Sequence, residues 1–161
     1  LVKVANLGCF DVVITSPNSD QGSSVIAEII SQALSTTPRL IYVESLGGYR
    51  YHALLSLAKT KCVIVAGNSS SVIKEAPFYG AHGLNIGRRQ LGREKADSQL
   101  DVIADTDTIV SSLLQLSDTK CLVGENPYFS EKPSLKAVEF LMANLQANDR
   151  NKLLMKRWNG G

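Results

Sequence analysis

Two hydrophobic rhythms alternate along this chain. Short β-branched runs recur, and between them apolar residues return every three or four positions. Residues 10–17, FDVVITSP, form a short apolar run stopped by Pro17-Asn18 and read as a buried strand. Residues 22–36 carry Val25, Ile26, Ile29, Ile30, Ala33 and Leu34 at helical spacing, with Ser23 or Ser24 as the expected N-cap. Residues 39–45 read as a second strand. Residues 48–60 read as a helix with Tyr51, Leu54, Leu55 and Ala58 on its inner face. Residues 62–67, CVIVAG, are a third strand, apolar almost throughout. A helix then opens in Ser69, Ser70 and Ser71 and meets Pro77. Residues 83–87 and 99–105 read as the fourth and fifth strands. A helix over 106–117, a loop over 126–133 and a helix over 134–146 follow, the last with Leu135, Val138, Leu141, Met142 and Leu145 along one stripe. Residues 150–158 form a short basic amphipathic end. There is no internal repeat and no low-complexity segment.

Apolar strands alternating with helices predict an α/β fold, a Rossmann-like, doubly wound, mostly parallel sheet with helices on both faces. Ligands of such sheets bind beyond the C-terminal ends of the strands. The strand-to-helix turns are therefore where chemistry is expected.

Composition narrows the picture. With 161 residues, 44% hydrophobic and 20% charged, the chain is long enough for a single globular domain with a real core. A net charge of +2 does not point to a nucleic-acid partner, and none is expected. The one dense basic cluster, GRRQLGREK over 87–95, suits a small anion better than a duplex. No apolar run approaches the roughly 20 residues of a membrane span, and no secretory signal is visible. Cys9, Cys62 and Cys121 are odd in number and lack metal-ligand spacing, which predicts inert thiols in a reduced, cytoplasmic setting. The first residue is Leu1 rather than Met, so a longer parent chain is expected.

Three turns could carry chemistry. In TSPNSDQG, residues 15–22, Asn18, Ser19, Asp20 and Gln21 serve either turn formation or a ligand rim. In GNSSSVIKEAP, residues 67–77, one serine suffices for a helix cap, and three exceed that need. The N-terminus of a helix offers free N–H groups suited to phosphate, to which Ser69, Ser70 and Ser71 add hydroxyls. Glu75 either completes a capping box or accepts two hydrogen bonds from a ribose diol. In NIGRRQLGR, residues 85–93, Gly87 and Gly92 bracket Arg88, Arg89 and Arg93, which make either a solvated basic loop or a bidentate grip on a diphosphate. His52, in a helix, and His82, in a turn, imply no metal site. Tyr128 and Phe129 read as an apolar plug.

Taken together, GNSSSVIKEAP and LNIGRRQLGREKADS closely resemble the hydrolysing UDP-N-acetylglucosamine 2-epimerases of sialic-acid and related sugar pathways, whose pattern runs roughly G-N-S-S-S-G-I-x-E-A-P, then N-I-G-x-R-Q-x-G-R. TSPNSDQG and ESLGGYRYHALLSLAK match the preceding segments in order and spacing. The resemblance covers about residues 10–98 well and the C-terminal helices loosely. It implies one half of a two-domain GT-B-type fold, the C-terminal nucleotide-binding domain, binding UDP or UDP-N-acetylglucosamine without a cofactor. It further implies Asn18 and Asp20 at the nucleotide rim and Ser45 to Gly47 near the uracil. Ser69 and Ser70, with Ser71 beside them, would hold the diphosphate, Glu75 the ribose hydroxyls, and Arg89 with Arg93 the phosphates.

Departures from the pattern also carry expectations. Val72 stands where the family has glycine, which suggests a looser approach of backbone to phosphate. GAHGLNIG lacks the usual proline before its strand. No histidine motif precedes residue 10, since LVKVANLGC has none, so the family's first strand and whole N-terminal domain, with its acid and base carboxylates, are expected to be missing. The full reaction, elimination of UDP followed by addition of water to give N-acetylmannosamine, would then be beyond this chain alone. A domain lacking a strand exposes sheet edges, which predicts a homo-oligomer. Two alternatives stay open: the nucleotide domain of a UDP-sugar glycosyltransferase, and a non-catalytic module that senses UDP-sugars.

Overall fold

The structure, a computed structural model of the chain, describes residues 2–17, 22–119 and 126–146. The chain divides into two compact units, Leu1–Pro127 and Tyr128–Gly161. In the first, α1 (Val2–Asn6) leads to β1 (Val12–Thr15), α2 (Ser23–Leu34), β2 (Leu40–Val43), α3 (Gly47–Ser56), β3 (Ile64–Gly67), α4 (Ser71–Lys74), β4 (His82–Ile86), β5 (Gln99–Val102) and α5 (Thr106–Ser117). Short 3-10 turns follow α3 at Leu57–Lys59 and α4 at Pro77–Tyr79.

Every strand pairing among the described residues is parallel. β1 pairs β2 with Val12 opposite Leu40. β4 lies between β3 and β5, with Ile64 opposite His82 and Gly83 opposite Gln99. The α/β arrangement read from the sequence is borne out. The five strands nonetheless form two sheets, β1-β2 and β3-β4-β5.

Alternation along β3 explains why helices lie on both faces. Ile64 and Ala66 join Leu84, Ile86, Leu100 and Val102 beneath Val4 of α1 and Leu113 of α5. Val63 and Val65 point the other way, toward Leu55 of α3 and the buried Ala76 and Ala81. Lys3 Nζ pairs with Asp107 Oδ1 at 2.7 Å, fastening α1 to the start of α5. Arg39 joins the two strand entries by pairing with Asp11 at 2.9 Å and donating to the Gly8 carbonyl.

Several local expectations need correction. α1 was not expected, because VKVAN is too short to show a period; packing of Val4 and Ala5 holds it. Gly22, not a serine, caps α2, with the left-handed φ of 91° that favours glycine. Only Ile30 and Ala33 of the predicted α2 face are buried, while Val25, Ile26 and Ile29 are about half exposed. On the β1-β2 sheet, the paired Val13 and Ile41 are likewise exposed. His82 starts β4 rather than lying in a turn, because its backbone N–H joins the ladder through Val63 O at 2.9 Å. Cys9 and Cys62 are free and exposed. Partial burial still pushes the Cys62 thiol up, disfavouring the thiolate. Cys121 lies outside the described residues.

In the second unit, α6 (Pro133–Gln146) opens on proline, whose missing N–H costs nothing at that position. The predicted stripe of Leu135, Val138, Leu141, Met142 and Leu145 is about half exposed, and Tyr128 and Phe129 are partly exposed. The basic end over 150–158 lies outside the described residues.

Candidate functional site

β3 ends at Gly67, and Asn68 opens the serine turn. Ser69 Oγ accepts from the Ser71 N–H at 3.3 Å and from the Ser71 hydroxyl at 3.2 Å. Ser70 holds the N-cap position of α4 with helical φ and ψ, and its side chain makes no capping bond. The cap is therefore supplied one residue early, by Ser69. α4 has only four residues because Pro77 lacks an N–H to continue it. Glu75 stands at its C-cap, its N–H donating to Ser71 O at 3.0 Å, so the capping-box reading of Glu75 does not hold. Among the described residues, the backbone N–H groups of Ser69 and Ser70 donate to no acceptor.

α3 adds Tyr51, whose buried hydroxyl lies near Ser71 and Glu75 without a well-formed hydrogen bond. Burial pushes this phenol up; the Ser71 hydroxyl draws it back, and the Glu75 charge pushes it up again. The His52 ring lies 5.5 Å from the Tyr79 ring, tilted by 34°.

The arginine loop follows β4. Gly87 and Gly92 adopt φ of 84° and 80°, which L side chains rarely accept, so the two glycines shape the bends. Arg88, Arg89 and Arg93 are exposed, and none pairs with a carboxylate among the described residues. Gln90 turns inward instead. It is buried, and its Nε2 donates to Asn68 O at 2.8 Å, joining this loop to the serine turn. The loop's far end is held by Lys95, which donates to Asp101 Oδ2 at 2.5 Å, while the fully buried Asn85 donates to Asp101 Oδ1 at 2.8 Å. Burial alone would push the Asp101 carboxyl up, but the bonds from Lys95 and Asn85 and the Lys95 charge together leave it below the usual range.

α4 is seated on the sheet from below. Gln99 Nε2 donates to Val72 O at 2.5 Å. A Cβ at Gly83 would stand 2.6 Å from the same oxygen, so only glycine lets the helix come this close. Val72 itself is buried against β4. Asn126 Nδ2 reaches Lys74 O at 3.4 Å.

The predicted residues Ser69, Ser70, Ser71 and Glu75 thus share one turn, and Gln90 brings the loop of Arg89 and Arg93 against it. Ser45 stands at the end of β2, where its Oγ accepts from the Gly47 N–H at 3.2 Å and starts α3. Asn18 and Asp20 lie outside the described residues. Sequence reasoning missed Gln90, Gln99 and Tyr51; the only signal was the position of Gln90 inside the arginine cluster. Buried His82 pairs through Nε2 with Thr119 O at 3.0 Å. Among the described residues no group of three or more His, Cys, Asp or Glu gathers as metal ligands, and no helix is long and apolar enough to cross a membrane.

Comparison with known proteins gives consistent matches. A family model described as UDP-N-acetylglucosamine 2-epimerase matches residues 1–142. The chain is 28% identical over 145 residues to the polysialic acid biosynthesis protein P7 of Escherichia coli, covering 88% of this chain and 36% of that protein. It is 29% identical over 141 residues to a UDP-N,N'-diacetylbacillosamine 2-epimerase (hydrolyzing) of Legionella pneumophila, again 88% and 36%. To a UDP-N-acetylglucosamine 2-epimerase of Neisseria meningitidis it is 28% identical over 114 residues, 70% of this chain and 28% of the other. The chain therefore spans about a third of the length of these relatives.

Proposed function

The chain belongs to the UDP-N-acetylglucosamine 2-epimerase family, and from that premise we propose that it is the UDP-binding domain of a hydrolysing 2-epimerase. The observation that carries this reading is the union of two strand-end loops. One is the serine turn, where the N–H groups of Ser69 and Ser70 have no acceptor among the described residues; the other is the arginine loop, tied to it by the Gln90–Asn68 bond of 2.8 Å. N–H groups at a strand end beside guanidinium groups that pair with no carboxylate among the described residues suit a diphosphate.

In this reading Ser69, Ser70 and Ser71 hold the diphosphate, and Arg89 and Arg93 neutralise it. Glu75, one turn on and beside Tyr51, takes the ribose diol. Ser45 lies near the uracil, and Asn18 and Asp20, which are outside the described residues, would contribute to the nucleotide rim. For the family's elimination step, these groups would stabilise the negative charge that develops on departing UDP. Removing a proton beside the anomeric carbon needs a positioned base, and that role falls to carboxylates of an N-terminal domain. The chain alone would bind UDP and leave UDP-N-acetylglucosamine unconverted.

The divided sheet supports the domain reading. A doubly wound order of 3-2-1-4-5-6 with its first strand removed leaves a parallel pair and a parallel triplet, like β1-β2 and β3-β4-β5. The exposed Val13, Ile41, Val25, Ile26 and Ile29 are the kind of surface that further protein covers.

The test is calorimetric titration of the 161-residue chain with UDP, together with an assay for N-acetylmannosamine release from UDP-N-acetylglucosamine. Binding without turnover is expected. Absence of UDP binding would sink the diphosphate site, and turnover would sink the assignment of the base to another domain.

A further inference from the structure

We propose that Gln90 is a positioning residue whose amide grips the Asn68 carbonyl and so aims the Ser69 N–H at the ligand, while Gln99, through Val72 O, holds α4 behind the turn against the sheet. The inference rests on the reading of this turn as the diphosphate site. Both glutamines reach across the chain to one short segment. Gln90 Nε2 donates to Asn68 O at 2.8 Å, 22 residues away, and Gln99 Nε2 donates to Val72 O at 2.5 Å, 27 residues away.

Their orientation follows from what they face. The other end of each amide, Oε1, is buried without a partner among the described residues. Turning either amide over would set oxygen against a carbonyl oxygen, so the nitrogens must face the turn. A buried acceptor left without a bond is rare and unfavourable in a folded protein.

The consequence for the ligand follows from peptide planarity. In a trans peptide the carbonyl of one residue and the N–H of the next point in opposite directions. Fixing Asn68 O toward the buried Gln90 therefore turns the Ser69 N–H away from the protein interior, and that N–H has no acceptor among the described residues. Gln99 sets the depth of the turn, because it holds Val72 O against β4 where Gly83 makes room. Gln90 has a second effect. It lies between Arg89 and Leu91 in the arginine loop, so the same bond sets the register between the arginines and the N–H groups. Neither glutamine has to touch the nucleotide.

The experiment uses the full 161-residue chain and the variant Gln90→Met, which keeps the length and removes the donor. Affinity for UDP is measured by calorimetry, affinity for uridine by NMR titration, and the Ser69 amide nitrogen shift by NMR without ligand. That shift responds to the hydrogen bond on the preceding carbonyl, so it reports the grip on Asn68 directly. The expected result is roughly tenfold weaker UDP binding, unchanged uridine binding and a moved Ser69 resonance. If Gln90→Met does not fold, Gln90→Asn, one methylene too short to reach, carries the same expectations. Equal loss for UDP and uridine would make Gln90 a merely structural residue and overturn the proposal. Unchanged UDP affinity or an unmoved Ser69 resonance would overturn it as well. Failure of the unsubstituted chain to bind UDP would instead overturn the diphosphate reading, while the Ser69 shift would still judge the grip.

Discussion

Replacing Gly83 by alanine tests how tightly the serine turn is seated. The added Cβ would lie 2.6 Å from Val72 O, 3.1 Å from Gln99 Cγ and 3.2 Å from Val72 Cγ1. Ordinary contact begins at 3.4 Å, so the carbonyl and the new methyl must separate by 0.8 Å (3.4 − 2.6). The obstructing atom is backbone and cannot swing aside. It is also the acceptor of the Gln99 amide at 2.5 Å, so lifting α4 stretches that bond. Overpacking of this kind costs about 1–3 kcal/mol, and loss of the hydrogen bond about 1 kcal/mol more. A destabilisation of about 2–4 kcal/mol lowers the melting temperature by roughly 5–15 °C for a domain of this size. Circular dichroism on heating, with urea unfolding as a second route, measures it. Gly48→Ala is the control: nothing lies within 4 Å of its Cβ position and its φ is not positive. There, in α3, alanine should be neutral or stabilise by up to about 1 kcal/mol. A Gly83→Ala melting temperature within 2 °C of the original would refute the close-seating argument.

Four further outcomes are expected. Glu75→Ala should weaken UDP binding by about ten- to a hundredfold, the range of hydrogen bonds to a charged group, whereas Glu139→Ala, exposed on α6, should leave it unchanged; equal effects by calorimetry would remove Glu75 from the ribose role. Arg89→Ala should weaken UDP binding and flatten its dependence on salt, measured as the slope of log affinity against log salt; an unchanged slope would deny a phosphate contact. Asp101 is held below the usual carboxylate range in the folded state, so its stabilisation is present above the unfolded value of about 3.9 and is lost as pH falls through the lower folded value. Asp101→Asn should therefore show a flatter fall in stability on acidification below about pH 4, and an identical fall would contradict the Lys95–Asp101–Asn85 network. Val72→Gly should lower stability by about 3 kcal/mol or more, through a cavity over Gly83 and a flexible residue in α4, without tightening UDP binding; a tighter complex would revive the idea that Val72 holds the backbone away from phosphate.

The fold was legible where local pattern and tertiary packing agree. The β-branched runs became strands, and helix 106–117 matches α5 at both ends, because Asp105 caps it through its carboxylate and the Thr108 N–H at 2.9 Å. Elements held by distant contacts were not legible. α1 exists because Val4 meets Leu84 and Leu113, eighty residues and more away in sequence. The break between β1 and β3 depends on which strands pair, and apolar runs do not encode pairing order. The site divides the same way. Serines and arginines announce themselves by type, whereas a glutamine among arginines does not announce that its amide ends on Asn68 O.

Val72 shows why residue type alone misleads at this turn. By resemblance it stands where relatives carry glycine, and a β-branched residue there suggests a backbone held back from a phosphate. In the fold its side chain is buried and points at β4, with Cγ1 3.2 Å from where a Gly83 side chain would begin. The bulk is on the sheet side, opposite the open N–H groups. The space it fills exists because Gly83 has no side chain, so valine above and glycine below act as one packing pair. Filling that space presses α4 onto the sheet and keeps Val72 O within reach of Gln99. The departure therefore acts on the turn through its support, because Val72 packs on the sheet side while its carbonyl is held by Gln99.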